Sequence, residues 1–208
     1  MAFYNDQPAN NLRFGDVVTG FQFAALRMDS PASSGVPLDL KIHVTRPPYF
    51  AVMTPCCSIE MQSFALAPLV EVRPAFFAVP YFAEDLARIN VPTPPEKALP
   101  PEHWENLSPE KQSELLDRGM SYAFFDCFVY AGHTLFAKYT LKKKNVSWEV
   151  VHRLVDFKSI FRVECARIER EHDAPSGIKV LELTTEARAQ LRDKLTAYFG
   201  RNADAGVE

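Results

Sequence analysis

The stretch that decides the fold is Phe14-Gly15-Asp16-Val17-Val18-Thr19-Gly20-Phe21-Gln22-Phe23. Gly15 and Asp16 form a turn pair, and the β-branched and aromatic residues after them are typical of a strand. Further apolar or alternating runs follow at residues 41–45, 49–54 and 65–72, after a loop rich in Ser, Pro and Gly. The first third of the chain is therefore predicted to form the short strands of a small barrel. Pro68 would place the third of these runs at an edge or a bulge.

The composition changes between residues 73 and 119, where eight prolines accompany two short helix candidates. Ser108 is predicted to cap the second helix, Pro109 suits its first position, and Gly119 ends it. We interpret residues 74–119 as an insertion that lies over the barrel. Long Pro-rich segments inside a compact domain are often lids or binding loops.

The β pattern resumes near residue 120. Residues 122–130 and 134–141 have hairpin spacing, and strands up to residue 163 are predicted to complete the barrel. The clearest helix covers residues 184–200, with apolar residues on one face and Gly200 closing it. The predicted class is mainly β (α+β), in one domain over residues 1–208. That domain comprises a barrel over 12–72 and 120–163, the insertion over 74–119, and the C-terminal helix.

Composition limits the functions that the chain can have. The 208 residues are 47% hydrophobic and 24% charged, with 23 basic against 26 acidic side chains, which indicates a soluble globular protein without an overall positive field. With no run of about 18 apolar residues and no secretory signal, we expect a cytoplasmic protein with no membrane contact. The four cysteines contain no CxxC pair, so we expect no metal and no cofactor.

Three motifs occur in a recognisable order: Gly15-Asp16-Val17-Val18, Arg46-Pro47-Pro48-Tyr49-Phe50-Ala51-Val52 and Ala67-Pro68-Leu69. This order resembles the PemK/MazF family of SH3-like barrels over residues 12–72. The resemblance implies an SH3-like barrel, a relation to toxin–antitoxin systems and, for many members, RNA cleavage without a metal. It also implies that Arg46 matches the arginine that stabilises the charged phosphorane, and that a homodimer forms through the sheets. Val70 stands where the family has a hydroxyl residue.

A second constellation is Thr54-Pro55-Cys56-Cys57-Ser58-Ile59, directly after a strand predicted to be buried. It is similar to a V-[ST]-x-x-C-[DS]-[IL] segment of small bacterial proteins, a likeness that implies no activity. A thiol on a loop leaving a strand is well placed to meet a ligand, and either Ser58 or Glu60 would polarise it. The alternative interpretation, a buried inert cysteine, is the one we favour here.

These observations favour a non-catalytic binding or regulatory module that engages a protein partner, because Val70 lacks the hydroxyl and the charge balance is acidic. Two enzymatic alternatives stay open. One is a metal-independent endoribonuclease in which Arg46 stabilises the transition state and Thr45, Thr54 or Ser58 supplies the hydroxyl. The other is a thiol-dependent enzyme that uses Cys56 or Cys57. RNA is an alternative ligand that the net charge does not favour.

Overall fold

The structure is a computed structural model that describes residues 2–28, 40–55, 63–79, 82, 84, 86–91, 93–99, 103–104, 106–122, 124–143, 145–164 and 178–204. Its strands are β1 (Val17–Thr19), β2 (Phe23–Met28), β3 (Leu40–Thr45), β4 (Phe50–Val52), β5 (Ser63–Val70), β6 (Ala98–Leu99), β7 (Ser121–Tyr122), β8 (Cys127–Tyr130), β9 (Tyr139–Lys143), β10 (Val146–Val150), β11 (Arg153–Asp156), β12 (Phe161–Glu164) and β13 (Ile178–Leu181). The helices are α1 (Pro109–Asp117) and α2 (Thr185–Asp204), with 3-10 helices η1 (Pro74–Ala78), η2 (Leu86–Asn90), η3 (Pro95–Lys97) and η4 (Phe157–Ser159).

The main sheet is antiparallel, with strand order β13-β1-β4-β5-β11-β8 and β12 paired with β5 outside that path. This arrangement confirms the mainly β (α+β) class. The predicted closed barrel is wrong for the described residues, because β13 and β8 end the path without pairing with each other. Three two-stranded sheets accompany it: β2 with β3 and β9 with β10, both antiparallel, and β6 with β7, which is parallel.

The prediction of an edge or a bulge at Pro68 is wrong, because β5 is a central strand. On one side β5 pairs with β4, where Pro68 lies opposite Phe50. On its other side β5 pairs first with β12, through residues 63–66, and then with β11, through Leu69 and Val70. Pro68 falls in the gap between those two partners, where a missing N–H costs no ladder hydrogen bond.

The hairpin predicted from residues 122–130 and 134–141 does not form. β8 pairs with β11, and β9 pairs with β10, where Lys143 lies opposite Val146. Every residue of β8 is buried, so this strand is covered on both faces although it lies at one end of the main sheet. In β9 the buried Leu141 lies between the exposed Thr140 and Lys142, a pattern that suits a surface ribbon.

Two acidic side chains lie in the interior beside the first strand: Asp16 is fully buried and Glu182 is 1% exposed. The Nζ atom of Lys179 lies 2.8 Å from Asp16 and 2.6 Å from Glu182, and the guanidinium of Arg188 lies 3.6 and 3.5 Å from the same carboxylates. Burial raises the pKa of Asp16. Burial acts in the same direction on Glu182, but hydrogen bonds from Lys179 and from the Ala9 amide outweigh it and lower that pKa to about 2. This buried ion network joins β1, β13 and α2.

The N-terminal segment, residues 2–13, is fastened to the same network. The amide nitrogen of Ala9 and the side chain of Asn5 donate to the Glu182 carboxylate over 2.8 and 3.0 Å. The guanidinium of Arg13 lies 3.3 Å from that carboxylate, and the Arg13 backbone donates to Asp16 over 2.7 Å. Glu182 therefore stabilises the course of a segment about 170 residues away in sequence, as the separations of 169 to 177 residues show.

The insertion shares a hydrophobic core with the main sheet instead of only lying over it. Phe76, Leu86 and Trp104 of the insertion pack with Val129 and Leu154 of the sheet in one buried cluster. Large aromatic and aliphatic side chains of this kind contribute about 1.5–3 kcal/mol each when fully buried. The insertion is consequently an integral part of the domain.

Polar contacts fix the insertion against β8 and α2. The side chain of Asn90, fully buried, donates to the carbonyl of Val129 over 2.6 Å and accepts from its amide over 2.7 Å. These are the two bonds that a neighbouring strand would make with β8. The Nζ atom of Lys194 on α2 donates to the carbonyl of Ile89 over 2.7 Å, and burial lowers the pKa of this lysine to about 8.

The two α-helices begin as their sequences predict, and one extends further. Ser108 caps α1 by accepting from the Lys111 amide, Pro109 occupies the first turn, and Gly119 follows the helix with φ 77°. Thr184 caps α2 through the Ala187 amide. Gly200 does not end α2, which continues to Asp204 because a glycine inside a helix costs only about 1 kcal/mol.

We predict that Glu182→Gln lowers the free energy of unfolding at pH 7 by about 3 kcal/mol, because it breaks a buried network and leaves two cations under-compensated. In the folded chain the pKa of Glu182 is about 2, against an ordinary value of 4.5, so its contribution is present above pH 4.5 and is lost as the pH falls towards 2. Urea denaturation at pH 7 and pH 3 should show a large difference between variant and wild type at pH 7 and a smaller one at pH 3.

The matched control is Glu149→Gln, which removes an exposed ion pair of 3.4 Å with Lys138 and should leave stability nearly unchanged. A difference between Glu182→Gln and wild type that stays constant between the two pH values would contradict the assignment.

Candidate functional site

The β2–β3 ribbon, formed by Phe23–Met28 and Leu40–Thr45, stands beside the main sheet with one face turned towards it. Phe23 pairs with Thr45 across the ribbon, and its ring lies 5.0 Å from the ring of Phe161 on β12. The next pair in the register is Ala24 with Val44. Because side chains alternate along a strand, Ala24 and Val44 lie on the face opposite to Phe23 and Thr45.

That outer face is apolar and exposed to solvent. Ile42 is 68% exposed and Val44 is 52% exposed, and the two are separated by one residue on β3. Ala24, opposite Val44, is also exposed. Neighbouring exposed aliphatic side chains on one strand face form the kind of patch that marks an interaction surface, whereas isolated ones do not. We call Gln22, Ala24, Ile42, Val44 and Arg46 the ribbon face.

Arg46 lies at one end of this row. It directly follows β3 and precedes Pro47, which holds its backbone extended and continues the alternation Ile42, Val44, Arg46. The Nε atom of Arg46 donates to Oε1 of Gln22 over 2.8 Å. Gln22 is the residue before β2 and Arg46 is the residue after β3. They are therefore the next pair in the register after Phe23 and Thr45, and this bond joins them.

Arg46 is the one charged residue among the five residues of the ribbon face. The register places the other two basic residues of the ribbon, Arg27 and Lys41, on the opposite face, with Phe23 and Thr45. No carboxylate of the described residues forms an ion pair with Arg46, whose guanidinium is exposed and held by a neutral amide. A guanidinium in that state presents donors to a carboxylate or a phosphate without first losing an ionic partner.

The other predicted site residues do not gather around Arg46. Thr54 is 6% exposed, and its hydroxyl oxygen accepts from the amide of Ala65. Thr54 follows β4 whereas Arg46 precedes it, so the two lie towards opposite ends of that strand. Thr45 is partly buried, and its hydroxyl has no hydrogen-bond partner among the described residues. Cys56, Cys57 and Ser58 lie outside the described residues.

Val70, in contrast, lies at the same end of β4 as Arg46. The register places Phe50 opposite Pro68, and the Leu69 amide donates to the Tyr49 carbonyl over 3.0 Å, so Val70 lies near the start of β4. Its side chain is 40% exposed. The position at which a hydroxyl was expected is therefore at the same end of the sheet as Arg46, but its side chain carries no polar atom.

Sequence reasoning missed Gln22, Ile42 and Val44. The alternation Lys41-Ile42-His43-Val44-Thr45 indicates a strand with one apolar face, and such a face is ordinarily turned towards the core. Here Phe23 and Thr45 occupy the inward face and the apolar face is turned outward. The available signal was the continuation of this alternation to Arg46, which places a basic residue on the same face as Ile42 and Val44.

Comparison with known proteins gives no match: no family model, no curated protein and no solved structure matches the chain. Within the described residues, no helix is long and apolar enough to cross a membrane, and no group of three or more His, Cys, Asp or Glu side chains is arranged to hold a metal ion.

The cysteine at position 127 lies inside the sheet and is fully buried. Burial raises the pKa of its thiol to about 11, against the opposing effect of Lys194 and Arg73. Since the thiolate is the reactive form, we predict that Cys127 stays unlabelled by iodoacetamide at pH 7.5 in the folded protein and reacts after unfolding. Peptide mass spectrometry of native and urea-unfolded samples measures this.

The same samples test the thiol-dependent alternative at Cys56 and Cys57. Rapid native labelling of either residue, faster than that of a free cysteine, would favour it. Labelling of Cys127 in the folded state would contradict the buried position.

Proposed function

We propose that the protein is a non-catalytic binding module that engages a protein partner through the ribbon face. The observation that carries the proposal is the exposure of Ile42 and Val44, 68% and 52%, on a face of β3 turned away from the core. Because both side chains are already partly buried, covering the rest contributes about 1–2 kcal/mol each. The apolar surface of a protein partner can cover them, whereas a phosphate backbone cannot. As part of the same proposal, the strands of residues 12–72 descend from the SH3-like, PemK-type architecture.

A homodimer through this face is less well supported than a different partner. Two copies related by a two-fold axis would place the Arg46 guanidinium of each copy in one interface, because a two-fold interface uses the same patch on each subunit. Like charges facing each other across an interface oppose association. The ribbon therefore favours a partner of other composition.

We predict that Ile42→Asp/Val44→Asp abolishes partner binding without unfolding the chain. The chain stays folded because both side chains are exposed, and binding is lost because the complex would bury the two new carboxylates away from water. The matched control is Val146→Asp. Val146 is 48% exposed and lies on β10, in the separate β9–β10 ribbon. The measurement compares capture from a lysate of the source organism by the three proteins. Binding of the purified candidate is then measured by calorimetry.

A partner that binds the double variant as tightly as wild type would exclude the ribbon face. Loss of binding in Val146→Asp as well would show that the effect is not specific to it.

One observation favours a second candidate function, the metal-independent endoribonuclease. Among the described residues, the guanidinium of exposed Arg46 is bound to the neutral Gln22 amide and to no carboxylate, so it is available to stabilise a phosphorane. The hydroxyl of that mechanism is not beside Arg46 among the candidates that the structure describes. Val70 has none, Thr45 lies on the opposite face of the ribbon, and Thr54 lies beyond the other end of β4.

We expect no RNA cleavage by wild type. Purified protein incubated with mixed-sequence RNA and chelator should leave the same products as Arg46→Ala and as a buffer control on a denaturing gel. Cleavage by wild type that Arg46→Ala reduces by at least about a hundredfold, the effect expected for loss of a transition-state donor, would replace the binding-module proposal with the nuclease.

A further inference from the structure

We infer that the partner presents an extended acidic segment, whose apolar side chains cover Val44 and Ile42 and whose side-chain carboxylate binds the guanidinium of Arg46. This inference rests on the proposed function and specifies the chemistry of the partner. It depends on three features of the ribbon face: the apolar row, the single cation at one end of it, and the neutral side chain that holds the cation.

The apolar row sets the spacing of the ligand. Ile42, Val44 and Arg46 occur at every second residue on one face, so that successive members lie about 6.5–7 Å apart along the strand. An extended peptide repeats with the same period. A segment running along β3 therefore matches this row when it has apolar side chains at two alternate positions and an acidic one at the next.

The edges of the ribbon allow such a segment to pair through its backbone. β2 and β3 form a two-stranded sheet, and no further strand of the described residues pairs with either. Partner strands commonly add to an edge of this kind, with main-chain hydrogen bonds supplying affinity and alternate side chains supplying specificity.

Gln22 is the positioning residue for the cation. Its Oε1 accepts from Nε of Arg46 over 2.8 Å, which fixes one nitrogen of the guanidinium and leaves the two terminal nitrogens without a described partner. Those two nitrogens form the fork that binds a carboxylate in a bidentate manner. An amide holds the arginine without neutralising it, which a glutamate at the same position would do.

Charge distinguishes this ligand from the other occupants of the face. Arg46 is the one charged residue of the ribbon face, although the chain as a whole has a net charge of −3. A second copy would present the same cation, and RNA would leave Ile42 and Val44 facing a charged backbone. An acidic, partly apolar polypeptide satisfies both the charge and the apolar surface.

The test is selection from a display library of random decapeptides that are fused at both ends, so that no free terminal carboxylate is present. Wild type and the control Val146→Asp should enrich peptides with alternating apolar residues and an Asp or Glu. Arg46→Gln should enrich apolar peptides without the acidic preference. Gln22→Glu should behave in the same way although it retains the arginine, because the new carboxylate pairs with it.

A peptide selected by wild type is then resynthesised with its acidic residue changed to the amide. The change should weaken binding to wild type by about tenfold, the effect of losing a hydrogen-bonded charge partner, and should leave binding to Arg46→Gln unchanged. Fluorescence anisotropy at two salt concentrations measures both affinities.

The outcomes separate the inference from the proposed function. If wild type selects peptides without an acidic preference, or Arg46→Gln retains that preference, the inference is overturned while the binding module stands. If wild type enriches nothing beyond Ile42→Asp/Val44→Asp, the proposed function fails with it. If mixed-sequence RNA binds more tightly than any peptide, and does so through Arg46, the face is assigned to nucleic acid. If wild type forms a dimer that Ile42→Asp/Val44→Asp does not form, the face is assigned to a second copy.

Discussion

The fold depends on two carboxylates that are buried together, Asp16 and Glu182. Each charge is removed from water and is compensated inside the protein by Lys179 and Arg188, which lie within 4 Å of both. Removing one member leaves charge uncompensated in the interior, and this is more costly than the net contribution of the intact network. The network therefore constrains where β1, β13, α2 and the N-terminal segment lie relative to one another. Geometry of this kind specifies one arrangement of the chain even where the apolar contacts would allow others.

The ribbon face lies outside that rigid arrangement but is oriented by it. Phe23 packs against Phe161, and Phe161 in turn contacts Phe50 of β4, a strand bonded to β1. This chain of aromatic contacts turns one side of the ribbon inward and so determines that Ala24, Val44 and Ile42 face solvent. The binding surface is thus a consequence of core packing on the opposite face. A change at Phe161 would alter the surface without touching any residue on it.

Local sequence patterns predicted much of this structure. The features that they did not predict depend on pairing and packing between residues far apart in sequence. Ser108, Pro109 and Gly119 marked α1 correctly because capping depends on neighbouring residues. The pairing of β8 with β11 instead of β9 could not be found in the same way, since strand partners are selected by burial of whole faces. The prediction from Pro68 failed for a related reason. A proline cannot donate a ladder hydrogen bond, but none is needed at the point where a central strand changes partner. At the site, the motif indicated Arg46, whereas the outward orientation of Ile42 and Val44 depends on the packing of Phe23.

Asn90 links the insertion to the edge of the main sheet. Its side chain occupies the hydrogen-bonding positions that β8 would otherwise present at the end of the sheet. A shortened chain without residues 74–119 would leave that strand as an open edge, ready to pair with the same edge of another molecule and to aggregate. Attempts to reduce the protein to a minimal domain should accordingly place a charged residue in β8 before the insertion is removed.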